Sequence, residues 1–235
     1  MTRLVHTSAV PQYAGLKHGD DHSDTRHLAR LLRLGILPEG YIYPREKRAV
    51  RDLLRRRFHL VHQATNLMQA AQGMWSRRTG GGLNADAFRR LTPAQIITHL
   101  PNPLERLALQ TQIDGWKALQ VQIIRIEREV STQLHDSTSP QAVRTMPGVG
   151  AILGSTITLE AGDISRFAEV GDYASYCRMV ESRRLSNGKT KGHGNAKCGN
   201  RCLCWTYIEA AKVKPNATAR RSSAGMTASL PRPTR

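Results

Sequence analysis

Between Tyr176 and Ala211 the chain reads YCRMVESRRLSNGKTKGHGNAKCGNRCLCWTYIEAA. Within it a hydroxyl, Ser186, stands among Arg178, Arg183, Arg184, Lys189, Lys191, Lys197 and Arg201, with Glu181 as the acid between them. Gly188, Gly192, Gly194 and Gly199 are interleaved. A segment this rich in glycine and cations brings backbone amides and positive side chains close to a polyanion without steric obstruction. The same charges suit a serine attack that builds negative charge on a phosphate. The pattern therefore points to phosphodiester chemistry as well as to nucleic-acid binding. A serine hydroxyl needs a base or a metal to take its proton, so the partner groups must come from outside this segment. Ser182 is the neighbouring rival for the same role.

The four cysteines, Cys177, Cys198, Cys202 and Cys204, lie in the same region. With His193 they offer soft ligands, but the spacing is no CxxC pair and there is no second pair, so reduced structural thiols are expected rather than zinc.

The elements that must position this segment are read from composition and periodicity. The chain has 235 residues, 35 Lys and Arg against 18 Asp and Glu, and a formal net charge of +17. Such a charge costs self-repulsion and persists where the partner is nucleic acid or an anionic membrane. No apolar run approaches the roughly 18–20 residues that span a bilayer, and the N-terminus lacks a signal-peptide core. Nucleic acid is the expected partner, with no membrane, and the expected compartment is the cytoplasm.

A mainly α fold is expected. Asp20 to Leu37 reads as a helix with acids at its start and Gly35 and Pro38 at its end. A long helix follows from about Arg45 to Ser76, with an apolar stripe through Val50, Leu53, Leu54, Phe58, Val61, Leu67 and Met68. Its first half carries Arg48, Arg51 and Arg55 among other cations, read as a contact to nucleic acid rather than as a merely solvated face. Thr79 to Asn84, with three glycines, breaks it, and Thr92 to Leu100 is a short helix. A second long helix, Leu104 to Asp136, repeats apolar residues every three or four positions. It suits either a dimerising coiled-coil arm or an intramolecular hairpin with the first long helix. After a linker at Ser137 to Pro140 comes Pro147-Gly-Val-Gly150. A turn of this kind between helices is the hairpin of helix-hairpin-helix DNA-binding modules, in which Gly148 and Gly150 would offer amides to a phosphate. Asn200 to Ala211 reads as a closing helix. The expected division is 1–44, 45–136 and 140–211, with 212–235 a disordered tail.

In order along the chain, Pro147-Gly-Val-Gly150, Gly162-Asp-Ile-Ser-Arg-Phe167, Ser186-Asn-Gly-Lys189, Lys197-Cys-Gly-Asn200 and Glu209-Ala-Ala211 resemble the C-terminal domain of one transposase family. This is the insertion-sequence family of DEDD transposases related to the pilin-gene inverting recombinases. Asp21-x-x-Asp24 followed by Arg26, Leu28-Ala29 and Leu31-Leu32-Arg33 is similar to the end of that family's RuvC-like nuclease domain.

The resemblance implies a recombinase built from a RuvC-like domain, a coiled-coil arm and a small helical domain with a helix-hairpin-helix. It implies action on DNA as a homodimer or tetramer, guided by a structured element-encoded RNA. It also implies an acidic tetrad holding divalent metal, Mg²⁺, and a serine that forms a covalent 5′-phosphoserine. Carried onto this chain, Asp24 takes the last tetrad position with Asp21 beside it, and Ser186 takes the nucleophile position. Lys189 and Lys191, with Arg183, Arg184, Lys197 and Arg201, are the expected phosphate contacts. The strands that would carry the first acids have no counterpart before Pro11, so residues 1–44 read as the C-terminal remnant of a RuvC-like domain. The expectation is an N-terminally truncated transposase that binds DNA and does not cut it alone. The alternative is a non-catalytic nucleic-acid-binding protein derived from a transposase. A ribosomal or RNA-chaperone protein would explain the charge but not the ordered motifs.

Overall fold

Apolar residues at helical spacing dominate this sequence, and helices dominate the computed structural model, which describes residues 4–6, 10, 21–135, 138–180, 183–186, 189–193 and 199–213. The mainly α expectation holds. The chain divides into two units, Met1–Glu46 and Lys47–Arg235.

In the first unit, helix α1 spans Asp21–Arg33. Asp21 and Asp24 occupy its first turn, and Arg30 and Arg33 its last, which complements the helix dipole at both ends. Gly35, at φ +69°, ends it. The Gly35 N–H donates to the Leu32 carbonyl and the Ile36 N–H to the Leu31 carbonyl, the paired bonds of a Schellman stop. The chain then passes residues 4–6: the Gly40 N–H donates to the Leu4 carbonyl at 2.7 Å, and the His6 N–H to the Pro38 carbonyl at 2.9 Å.

In the second unit two long helices, α2 (Arg45–Thr79, whose first two residues belong to the first unit) and α5 (Pro103–Gln133), run antiparallel. Their direction follows from which residues share a core. Ala71 and Trp75 pack with Leu109 and Ile113, Leu60 and Ala64 with Ile123, and Leu54 with Val130. The intramolecular hairpin is thus realised. Across it, Arg57 pairs with Glu127 at 2.6 Å and Arg78 with Glu105 at 3.2 Å. At 1.5 Å per residue, α2 is roughly 50 Å long.

Two short helices close the far end of this arm. Helix α3 (Ala85–Arg89) is capped by Asn84, and α4 (Pro93–His99) by a Thr92–Gln95 capping box with Pro93 in its first turn. Phe88, Ile96 and Leu100 are buried with Trp75, and the Phe88 and Trp116 rings meet edge to face at 5.3 Å. Helix α3 was not expected from the sequence; five residues are too few to show a period.

The near end of the arm carries a small body. It consists of α6 (Thr138–Val143), α7 (Ala151–Ala161), a 3-10 turn (Ile164–Arg166), α8 (Val170–Tyr176), a hairpin of β1 (Arg183–Ser186) and β2 (Lys189–His193), and α9 (Arg201–Lys212). Helix α6 begins inside the stretch that composition marked as a linker. Val149, Ile157, Cys177, Leu203 and Ala210 form the core of this body, while Leu159 joins it to Leu54 and Val130 of the arm. The tail expected beyond Lys212 lies, from residue 214 on, outside the described residues. No helix among the described residues is long and apolar enough to cross a membrane.

Leu109 is fully buried where α5 meets α2. Leu109→Ala should therefore cost about 2–5 kcal/mol, from lost burial plus the cavity left behind, read as a lower urea midpoint at unchanged slope.

Candidate nucleic-acid interface and nucleophile hairpin

The basic glycine-rich segment is not a bare loop: it folds back on itself as β1 and β2. Ser186 is the last residue of β1 and pairs with Lys189, the first of β2. Leu185 pairs with Thr190, Arg184 with Gly192 and Arg183 with His193. Two consecutive β1 residues thus face Thr190 and Gly192, which leaves Lys191 as an extra residue and marks a bulge that bends and twists the ribbon. Ser186, Arg183, Arg184, Lys189 and Lys191 are therefore collected on one two-stranded element. The signal was in the sequence: Asn187-Gly188 between two runs is the strongest short-range hairpin dipeptide. Lys197, Cys198 and Ser182 lie outside the described residues.

The root of the hairpin is built from residues on four elements. The Asn200 N–H donates to the Tyr176 carbonyl at 2.6 Å, which ties the chain entering the hairpin to the chain leaving it. Gly199, at φ +92°, sits against this junction, and a Cβ there would lie 2.6 Å from the Tyr176 carbonyl oxygen. Arg178 Nε donates to the Gly199 carbonyl at 3.2 Å. The Asn200 side chain is the N-cap of α9, its Oδ1 accepting from the Cys202 and Leu203 amides. Its Nδ2 donates to Glu160 Oε2 at 2.7 Å and to the Tyr176 hydroxyl at 3.2 Å.

Glu160 is the one acid in α7, and its side chain is 1% exposed. Arg55 of α2 meets it as a fork, Nε to Oε1 at 2.6 Å and Nη2 to Oε2 at 2.7 Å. The bond to Glu160 holds the Arg55 guanidinium above its already high ordinary pKa. Arg55 was expected to contact nucleic acid; here two of its N–H groups are occupied within the fold. Arg51 lies 3.4 Å from Asp52, and Arg48 is exposed on the first turns of α2.

The Gly162 to Phe167 motif also serves this root. Gly162 ends α7 at φ +67°. Asp163 then accepts from the Ser165 amide and hydroxyl, bonds that hold its carboxyl below the usual range. The turn places the Arg166 guanidinium 4.3 Å from the Phe167 ring centroid and 4.6 Å from that of Tyr176. Behind Tyr176, the Tyr173 and Tyr207 hydroxyls share a 2.8 Å hydrogen bond, and burial pushes both phenols and the Cys177 thiol up in pKa.

Arg201 opens α9, its guanidinium carbon 6.0 Å from the Phe58 ring centroid, where Phe58, His62 and Trp205 cluster. Burial, then the nearby Arg201 and His59 charges, push the His62 imidazole down from 6.5. His59 and His62 were not singled out in the sequence, where they look like ordinary members of a helix face.

The two turn glycines differ. Gly148 has φ +81°, and a Cβ there would collide with the Ala210 carbonyl oxygen, so the absence of a side chain lets the turn seat on the C-terminal end of α9. Gly150 is the N-cap of α7, with open space around its Cβ position.

Asp21 and Asp24 stand three residues apart in the first turn of α1, both exposed. That spacing places two carboxylates on one helix face. They belong to the first unit, and Ser186 to the second. Two oxygen donors of this kind fit Mg²⁺, which commonly takes one or two protein carboxylates and completes its shell with water and phosphate. No group of three or more metal-ligating side chains is found among the described residues.

Gly148→Ala should destabilise the chain by about 1–3 kcal/mol through strain at positive φ. Gly150→Ala should change stability by less than about 0.5 kcal/mol. Urea unfolding of the two variants side by side checks the contrast.

Comparison with known proteins converges on the same region. The family model described as Transposase IS116/IS110/IS902 family matches residues 140–225, which takes in the small body and its hairpin. A protein of Sinorhizobium fredii named as a transposase, y4qE, is 28% identical over 213 residues, 87% of this chain and 52% of the relative. The transposase for insertion sequence element IS1328 of Yersinia enterocolitica is 28% identical over 178 residues, 74% of this chain and 52% of the relative. A Pseudomonas aeruginosa protein named as a family 20 transposase is 24% identical over 186 residues, 76% of this chain and 54% of the relative. The chain spans about half the length of the curated relatives it matches, and it is similar to insertion-sequence transposases across most of its own length.

Proposed function

We propose that the chain is a DNA transposase or recombinase of an insertion sequence, in which Ser186 attacks a DNA phosphate and the β1–β2 hairpin carries the cations that receive it. The observation that supports this most is the hairpin itself. A serine ends a strand opposite a lysine, with four cations among the nine residues of the two strands, inside the region that matches the transposase family. Arg183, Arg184, Lys189 and Lys191 neutralise phosphate charge, Arg201 and Lys197 extend the contact, and Gly148 and Gly150 offer amides at the start of α7.

Asp21 and Asp24 hold Mg²⁺ in this reading. Bound there, the ion would offset charge on the phosphate and ease loss of the serine proton. In the attack, Ser186 Oγ bonds to phosphorus, the Oγ proton leaves to a base, and the 3′-oxygen departs, leaving a 5′-phosphoserine. Arg48 and Arg51 on α2 extend the DNA path, assembly is as a homodimer or tetramer, and a structured element-encoded RNA directs target choice.

The test is incubation of the chain with element-end DNA, element RNA and Mg²⁺, followed by a denaturing gel. A covalent protein–DNA adduct that Ser186→Ala abolishes and Ser182→Ala retains would support the nucleophile assignment and overturn the sequence-based expectation that the chain does not cut DNA alone. An adduct surviving Ser186→Ala would overturn the nucleophile assignment. Salt-dependent binding with no adduct would favour the non-catalytic reading. Lys189→Ala should reduce the slope of log affinity against log salt by about 0.9.

A further inference from the structure

The Arg55–Glu160–Asn200 chain is more elaborate than capping α9 requires. Asn200 alone can cap the helix, and hydrophobic side chains can fill the site of a buried ion pair at no loss of stability. What the carboxylate adds is orientation. Glu160 can only accept hydrogen bonds, so it fixes the Asn200 amide with Nδ2 towards itself and Oδ1 towards α9. Arg55 stays charged at any working pH and holds both carboxylate oxygens in a planar fork. Asn200 so oriented is tied by its backbone to Tyr176, which joins the chain that precedes the hairpin in sequence to the chain that follows it. Gly199 admits the approach by having no side chain.

We propose that Glu160 is a positioning residue: through Asn200 it locks the root of the β1–β2 hairpin, and Arg55 serves this lock rather than phosphate. The consequence for Ser186 rests on the proposed function; the lock itself does not. Glu160 touches no substrate in this scheme. It fixes the junction between the segments that precede and follow the hairpin in sequence.

Hydrogen–deuterium exchange read by peptide mass spectrometry tests the lock on the whole chain. In Glu160→Gln one amide oxygen must serve the three donors from Arg55 and Asn200. Exchange in the 183–193 peptides should rise at least tenfold, while peptides around Leu60 and Leu109 stay within twofold. Should that variant fail to fold, Arg55→Lys, which keeps the charge and loses the fork, should raise hairpin exchange severalfold and leave the salt slope of DNA binding unchanged. The double variant Glu160→Gln/Asn200→Asp restores a donor–acceptor pair of reversed polarity and should recover protection relative to Glu160→Gln. Unchanged hairpin exchange in both Glu160→Gln and Arg55→Lys, or a rise equal to that of the arm peptides, would overturn the proposal. With adduct formation as a second readout, Glu160→Gln should lower the rate at saturating DNA at least tenfold with affinity within twofold. Ser186→Ala should abolish the adduct without changing hairpin exchange, so failure of the lock and failure of the nucleophile assignment are read separately.

Discussion

A buried carboxylate must be paired or it drives the surrounding structure apart. Glu160 meets that constraint with a guanidinium from α2 and an amide from the start of α9, and the small body is arranged around the result. The interaction joins an arm helix, a body helix and a closing helix. It also gives the hairpin a rooted base, because Asn200 is at once the cap of α9, the partner of Glu160 and the residue bonded to Tyr176. The apolar contacts of Leu159 with Leu54 and Val130 add the nondirectional part of the same junction. Apolar packing brings these surfaces together, and the ion pair selects one way of meeting.

The electrostatics of the chain divide along this junction. Arg55 and Arg57 are drawn into pairs with Glu160 and Glu127 that help join the arm to the body and to itself. The cations of β1 and β2 lie beyond the root, on a ribbon with no acid of its own. Charge that a composition count lumps together is thus divided: part of it, in Arg55 and Arg57, joins elements within the fold.

Much of this was legible in the sequence. The periods of α2 and α5 were plain because each is long enough to repeat its apolar stripe many times, and α4 was marked by Thr92-Pro93. The sequence could not decide between an arm that pairs with itself and one that pairs with a second copy, since both bury the same stripe. Leu109 and Ile113 against Ala71 and Trp75 give the intramolecular partner. Helices α3 and α6 were too short to show a period. The hairpin was read as a loop because glycine and charge masked the Asn187-Gly188 signal. Glu160 was passed over although a lone acid in the apolar run from Ala151 to Ala161 is the mark of a buried partner; Arg55 could not be matched to it, because the pairing spans 105 residues. For the candidate site, Ser186 and its cations came from type and spacing, whereas the root that holds them depends on contacts distant in sequence.

The antiparallel arm has a mechanical consequence. Two helices bound along their length by Leu60, Ala64, Leu109 and Ile123 bend as one beam, much stiffer than either alone. A beam roughly 50 Å long turns a rotation of about ten degrees at its base into a displacement of roughly 9 Å at its tip. Ile97, Leu104 and Leu107 ride with that end of the arm, exposed. Arg55 lies towards the other end of the same beam, so the contact with Glu160 and the exposed apolar side chains sit at opposite ends of the arm.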